Sequence, residues 1–276
     1  MTDKQTLLDI AFSDEHLSQP QSYALFNSVM RGELSDIELT AVLIALKMKE
    51  EAPNEIAGAA SAMVANAKPF PRPDYAFSDI VGTGGDGHNT INISSSAAVV
   101  AASCGVKVAK HGNRSVSSKS GSADLFREFG LNLETSPENA RACLDEANFC
   151  FLFAPVYHSG VRNEMPVRTA LKTRTLFNIL GPLANPAGPT HGVFGVYTPT
   201  LLDAYAQTLM LMGQQRALIV HGAGLDELAL HGESQIVDLE HGDLKRYTVT
   251  AADFGLKSYD LDSIKGGEPE ENRAFI

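Results

Sequence analysis

Two loops rich in glycine and hydroxyl groups hold most of the residues in this chain that could do chemistry. From residue 82 to 124 the sequence reads GTGGDGHNTINISSSAAVVAASCGVKVAKHGNRSVSSKSGSAD. In the first loop, Gly82-Thr83-Gly84-Gly85-Asp86-Gly87, the missing side chains let backbone N–H groups approach an anion closely. Asn92, Ser94, Ser95 and Ser96 follow where a helix begins, and a helix N-terminus beside glycines and hydroxyls favours phosphate. The second loop opens with Lys110, His111, Asn113 and Arg114 and runs on through Ser115, Ser117, Ser118, Lys119, Ser120 and Ser122. Glycine turns that merely join strands to helices are the competing explanation. The spacing matches neither GxGxxG nor GxxxxGK[ST], so neither a dinucleotide loop nor a P-loop is present. Phosphate binding is favoured because two such loops follow successive strands and the second carries two lysines and an arginine. A further candidate is the adjacent pair Asp226-Glu227 in HGAGLDE. Carboxylates after a glycine turn suit a hard divalent cation such as Mg²⁺. On the residues alone, a solvated acidic turn is the simpler account of that pair. His88, His111, His191, His231 and His241 have no metal-ligand spacing and read as structural, with His111 drawn to the cleft by its neighbours.

These residues need a scaffold, and the sequence predicts an α/β one. Residues 77–81 and 106–109 read as short buried strands, so both loops leave carboxyl ends of strands, where ligands of α/β sheets collect. Further strands are expected at 149–153, 192–197, 216–221, 235–239 and 245–249, with helices at 121–129, 137–147, 165–172 and 198–211. The segment 178–186 (NILGPLANP) reads as a rigid turn. Ahead of this lies an all-helical stretch over residues 1–70. Ser18 and Ser35 are placed to cap its second and third helices, Ser35 and Glu38 as a capping box. Pro53 starts an alanine-rich fourth helix built for close packing. KPFPRP at 68–73 then forbids regular structure and reads as a linker or hinge.

The chain has 276 residues with 44% hydrophobic and 20% charged residues, an ordinary globular composition. The formal net charge of −11 argues against a general nucleic-acid binder. Residues 105–175 nevertheless carry 10 basic and 7 acidic side chains, which suits a small anion held in a cleft of an acidic protein. Cys104, Cys143 and Cys150 form no CxxC pair and read as reduced core thiols. MTDKQTLLDI lacks a signal peptide's basic start and apolar core, and no apolar run approaches a membrane span, so a cytoplasmic protein with no membrane partner is expected.

Six blocks together resemble a known family. GTGGD (82–86), NIS (92–94), KHGNR (110–114), SSKSGSAD (117–124), RTLFNILGPLANP (174–186) and Asp226-Glu227 occur in the order found in anthranilate phosphoribosyltransferases, over most of the chain. The resemblance implies a small helical domain (residues 1–72, joined by about 163–188) and a larger α/β domain (73–162 and 189–276). Its central sheet would be mainly parallel, of the nucleoside phosphorylase and phosphoribosyltransferase type. It implies transfer of the phosphoribosyl group of 5-phosphoribosyl 1-pyrophosphate to the amine of anthranilate. The site implied for the first substrate comprises Gly82, Gly85, Asp86, Thr90, Asn92, Ile93, Ser94 and Ser95 from the first loop. From the second come Lys110, His111, Gly112, Asn113, Arg114, Ser115, Val116, Ser117, Ser118 and Ser122. Gly82, Asn113 and Arg168 would hold anthranilate, with Arg168 on its carboxylate. Two Mg²⁺ ions would be held with Ser94, Asp226 and Glu227. No single catalytic side chain is implied, because an aryl amine is already neutral at pH 7 and positioning and electrostatics carry the reaction. HSGVR at 158–162 stands where many relatives have HxAMK, which alters the shape expected of the anthranilate slot.

A homodimer through the helical domain is expected, since so short a helical segment cannot bury all its apolar faces alone. The final GGEPEENRAFI carries a helix start with no stop, and members of the family continue into further helices, so the sequence reads as cut short. Two other readings share the architecture. One is a pyrimidine nucleoside phosphorylase, which LFNILGPLANP and KHGNR disfavour. The other is a nucleic-acid-binding relative without transferase activity, which the net charge disfavours.

Overall fold

The computed structural model describes residues 3–115 and 119–276. The chain opens with four helices: α1 (Lys4–Ala11), α2 (Gln19–Met30), α3 (Asp36–Met48) and α4 (Pro53–Ala65). Local chemistry sets their starts. Ser35 N–H donates to Glu38 Oε2 at 2.7 Å, and Glu38 N–H donates back to Ser35 Oγ at 3.3 Å. α4 begins at Pro53, where no N–H is needed. Ile56, Ala59, Ala60 and Ala62 on α4 are fully buried, the close packing that the small residues allow.

An α/β region follows: β1 (Ser78–Gly82), α5 (Ile93–Ser103), β2 (Val108–Gly112), α6 (Ser122–Glu128), α7 (Pro137–Ala147) and β3 (Phe149–Phe153). A helical excursion holds α8 (Ala154–Tyr157), a 3₁₀ turn Ser159–Asn163, α9 (Met165–Leu171) and α10 (Phe177–Leu180). The chain then re-enters the sheet with β4 (His191–Gly195), α11 (Leu201–Leu211), β5 (Arg216–Gly222), β6 (Ser234–Glu240) and β7 (Asp243–Val249). α12 (Pro269–Phe275) comes last.

The seven strands form one sheet in the order β3-β2-β1-β4-β5-β6-β7. β1 to β5 pair in parallel; β6 and β7 pair antiparallel. The chain builds outward from β1 through β2 to β3, then crosses to β4 on the other side of β1. β1 and β4 therefore flank a topological switch point, where open α/β sheets bind ligands beyond the carboxyl ends. The register aligns those ends, Gly82 with Gly195 and Gly112 with Phe153.

The helical bundle does not own a separate core. Its Ile56, Ala60 and Met63 belong to the same buried cluster as Tyr205 and Leu209 of α11 and Ile219 and Val237 of the sheet. The 68–73 stretch lies against the α/β region rather than hanging free: Lys68 N–H donates to Tyr157 O at 2.8 Å, and Phe70 is buried with Phe77.

Three expectations need correction. Residues 177–183 are helical, with Pro182 inside a 3₁₀ turn, and not a rigid turn. β2 extends to Gly112, three residues past the predicted end, because it pairs along its whole length with β3. Only Cys150 is buried; Cys104, at the end of α5, and Cys143, on α7, are exposed. Among the described residues, no helix is long and apolar enough to cross a membrane.

Candidate active site

The first glycine loop leaves β1 at the switch point. Gly84, Gly85 and Gly87 have φ values of +67°, +77° and +86°, which side chains rarely adopt. Gly82 and Gly195 are required for a different reason. A Cβ on either would fall inside the space of Asp226. That acidic turn therefore seats directly on the carboxyl ends of β1 and β4. Asp226 Oδ2 accepts from Gly84 N at 2.6 Å, and Glu227 Oε1 accepts from Ser94 N, in the first turn of α5, at 3.1 Å.

Asp226 is 8% exposed, so the solvated-turn account fails. Burial pushes the Asp226 carboxyl up, the nearby Asp86 carboxylate pushes it further, and the Gly84 N–H opposes both. Glu227 is pushed up by burial and then by Asp226, against Lys110 and Ser94. Three carboxylates thus meet the glycine loop with one cation beneath them.

Lys110 is that cation, and its place corrects the sequence reading. It sits in the middle of β2, 2% exposed, and donates to Ile80 O, so it does not reach out from the strand end. Burial lowers its pKa, while Asp79, Glu227 and Asp226 raise it. Asp79 on β1 is fully buried; its Oδ2 accepts from Asn185 Nδ2 at 2.8 Å and from His111 N at 3.3 Å. Burial raises the Asp79 carboxyl to about 6. Neither Asp79 nor Asn185 was singled out from sequence. Asp79 stands three residues before the glycine loop and Asn185 in the LANP run, and only the paired strands bring them together.

His111 also lies beneath the site and not on its surface. Its Nδ1 faces Gly181 O at 3.3 Å, so Nδ1 carries the hydrogen in the neutral ring, and burial lowers its pKa to about 3. His158 stacks edge-on against it with centroids 5.1 Å apart and donates from Nε2 to Ala184 O at 2.8 Å. The two imidazoles anchor the excursion to β2.

The hydroxyl and amide residues divide. Asn92 is bonded within the protein at both ends of its amide. Its Nδ2 donates to Ser120 O at 3.0 Å, and its Oδ1 accepts from Asn272 Nδ2 at 2.9 Å and from Ser120 Oγ at 3.2 Å. Ser95 is 2% exposed, facing inward from α5. Ser96 Oγ is bonded back to Asn92 O. Thr90 and Ile91 are pinned by residues 264–266 through Ile91 N–H to Ile264 O at 2.9 Å and a bridge of Thr90 to Lys265. Asn272 and the 264–266 segment are contributions the sequence did not signal, because no local pattern marks them. Ile93 and Ser94 open α5 beside the loop.

In the second loop, Gly112 leaves room for Ser122 Oγ and the Phe151 ring. Asn113 Oδ1 accepts from Arg114 N, and Asn113 O accepts from Ser122 Oγ at 3.3 Å. Asn113 and Arg114 are exposed, with the Arg114 guanidinium 5.7 Å from the Phe153 ring centre. Ser115 N–H donates to Asp124 Oδ2 at 3.1 Å. Val116, Ser117 and Ser118 lie outside the described residues. Arg168, on α9, donates to Glu164 Oε1 at 3.0 Å and lies 5.8 Å from the Phe177 ring centre. Glu164 is fully buried, and burial raises its carboxyl to about 7 against the pull of Arg168. No described contact joins Arg168 to Gly82 or Asn113. The fold thus gathers Gly82, Asp86, Ser94, Lys110, Asp226 and Glu227, with Arg168 standing apart on the excursion.

With this geometry established, comparison with known proteins is direct. Residues 5–67 match the helical bundle domain of the glycosyl transferase family, and residues 74–276 match its a/b domain. The anthranilate phosphoribosyltransferase of Photobacterium profundum is 60% identical over 270 residues, covering 98% of this chain and 80% of that one. That of Tolumonas auensis is 58% identical over 266 residues, covering 96% and 79%. Among solved structures, anthranilate phosphoribosyltransferase from Thermus thermophilus superposes with a TM-score of 0.93 at 43% identity, covering 98% of this chain and 80% of that one. The Saccharomyces cerevisiae enzyme in complex with PRPP and Mg gives 0.88 at 28%, covering 99% and 80%.

Proposed function

The chain belongs to the anthranilate phosphoribosyltransferase family, and from that membership we propose that it transfers the phosphoribosyl group of 5-phosphoribosyl 1-pyrophosphate (PRPP) to the amine of anthranilate. The products are N-(5-phosphoribosyl)anthranilate and pyrophosphate, a step of tryptophan biosynthesis. The observation that carries this reading is the placement of Asp226 and Glu227. Two carboxylates raised by burial sit on the glycine-loop and α5 amides at the sheet's switch point.

Such a pair is costly unless a cation joins it. A hard dication bound through one or two carboxylates and completed by substrate phosphates fits this donor set. Ser94, Asp226 and Glu227 would hold Mg²⁺, as two ions, given the several negative charges of PRPP. When bound, Mg²⁺ offsets the charge that builds on the departing pyrophosphate.

The protein's own groups do the rest. A nitrogen–C1 bond forms as the C1–oxygen bond to pyrophosphate breaks, the sugar between them carries positive charge, and the amine then gives up one proton to the departing pyrophosphate or to water. Gly85, Asp86 and the α5 N-terminus position the donor, and Lys110 balances the carboxylates from below. Asn113, Arg114, Ser115 and Ser122 border the same edge. Arg168 supplies the cation for the anthranilate carboxylate, with Gly82 and Asn113 completing that slot once the excursion closes on the α/β domain. The yeast enzyme has also been solved with 4-fluoroanthranilate, which supports an aromatic acid beside the PRPP site.

The experiment is loss of anthranilate fluorescence, followed with and without PRPP and Mg²⁺. Loss only when both are present is expected; no loss with both present would reject the reading. We also propose a homodimer through the helical bundle, supported by Ile37 and Met48, exposed at 83% and 77% on α3. Light scattering at micromolar concentration should give twice the chain mass, and a monomer would count against it. We place the protein in the cytoplasm, as suits an enzyme of amino-acid biosynthesis; cell fractionation checks this.

A further inference from the structure

Between α9 and α10 two successive side chains reach in different directions. Lys172 turns the chain there with φ +48°. Thr173 Oγ1 accepts from Lys47 Nζ, in the last turn of α3. Arg174, the next residue, reaches the first glycine loop and donates from Nη2 to Gly85 O. Its guanidinium also lies over the Tyr197 ring, 4.1 Å from the ring centre. Tyr197 is itself joined to the loop, for its N–H donates to Thr83 Oγ1 at 3.1 Å, and Thr83 N–H donates to Gly195 O at 2.9 Å.

The contact to Gly85 O has a consequence for the loop's donors. In a trans peptide the carbonyl and the next N–H point in opposite directions. Holding Gly85 O against the guanidinium therefore turns the Asp86 N–H away from it and removes a free carbonyl dipole from an anion-binding loop. Gly85 has φ +77°, in a loop of glycines that nothing intrinsic would hold in one conformation. Arginine suits the task because a planar guanidinium can stack on a ring and donate in its plane at once, which an ammonium cannot.

We propose that Arg174 is a positioning residue that fixes the glycine loop, and that with Thr173 and Lys47 it straps the loop to the helical bundle. The loop then presents its amides to the phosphoribosyl donor only while the bundle is seated. This rests on the reading of the loop as the PRPP site, and the test separates the two.

Hydrogen exchange is measured first on the whole, ligand-free protein at the bonded amides of Thr83, Gly84 and Tyr197. Arg174→Ala should speed their exchange about tenfold, the loss of one charge-assisted bond and one stack. Thr173→Val should speed it less, and should add little in the Arg174→Ala background, since both act on one strap. Arg174→Lys should not restore protection. Arg246→Ala, which removes an equal charge far from the loop, should leave these amides unchanged. In kinetics, Arg174→Ala should raise the KM for PRPP about tenfold while changing that for anthranilate much less, with the melting temperature kept. Unchanged exchange in Arg174→Ala, or equal acceleration in Arg246→Ala, overturns the strap. If the unaltered protein bound no PRPP yet Arg174→Ala loosened the loop, the strap would stand and the functional reading would fall.

Discussion

The acidic pair is where residue chemistry makes the sharpest demand. Both carboxyls are raised by burial, so their contribution to stability is present at acidic pH, where they are protonated in folded and unfolded chains alike. It is lost as pH rises from the ordinary carboxylate range through their raised folded values. Asp226→Asn with Glu227→Gln keeps an acceptor for Gly84 N and Ser94 N and removes the buried charge. The double variant should melt higher than the unaltered metal-free protein, by a margin that grows from mildly acidic to mildly alkaline buffer. Mg²⁺ with PRPP should raise the melting point of the unaltered protein only, and the variant should turn over far more slowly. A variant that melts lower at every pH would refute the cost of burying the charged pair, and one that keeps its rate and Mg²⁺ response would refute the metal role. Arg168 makes a second demand. A charge-assisted bond to a carboxylate is worth about 1.5–3 kcal/mol, so Arg168→Ala should raise the KM for anthranilate about tenfold or more. The KM for PRPP should move much less. Equal rises in both would remove Arg168 from the anthranilate slot.

At the level of the elements, the site depends on strands that end in glycine. Gly195 has no room for a side chain, because its Cβ would collide with the Asp226 backbone. Gly195→Ala must push the acidic turn off the ends of β1 and β4, at a cost of about 1–3 kcal/mol. Thermal melting should fall accordingly, and Mg²⁺-dependent turnover should fall with it. An alanine variant with native melting and rate would mean that the turn sits higher than described. The same glycines explain what the sequence could reveal. Gly84, Gly85, Gly87 and the Ser35–Glu38 box are local signals, and each holds in the structure. Lys110 was misjudged because a β-strand's end depends on its partner, and β3 carries β2 three residues beyond the predicted stop. The burial of Asp79 and the hold of Asn272 on Asn92 were illegible for the same reason: each joins segments far apart in the chain. The helical 177–183 stretch was read as a turn because Gly181, Pro182 and Pro186 outweigh a short apolar pattern.

For the whole molecule, the shared core matters most. A helical bundle followed by a linker suggests two folding units, yet α4 and α11 lie in one buried cluster with the sheet. Thr208 Oγ1 on α11 donates back to Ala204 O at 2.8 Å with Pro53 O 3.4 Å away, and Tyr205 OH donates to Ile179 O at 2.8 Å, so α11 also holds the excursion. Helices α1 to α4 cannot detach without exposing Tyr205 and Leu209, and the 68–73 stretch is itself packed down. Heat should therefore unfold the described architecture in one cooperative transition, with calorimetric and van't Hoff enthalpies in agreement. Tyr205→Ala tests the linkage directly. Truncating a fully buried aromatic costs about 3–5 kcal/mol. Because α11 belongs to both halves, the single transition should move down as a whole. Two resolved peaks, with only the α/β peak shifted by Tyr205→Ala, would mean that the bundle folds independently and that its contact with α11 is mere apposition.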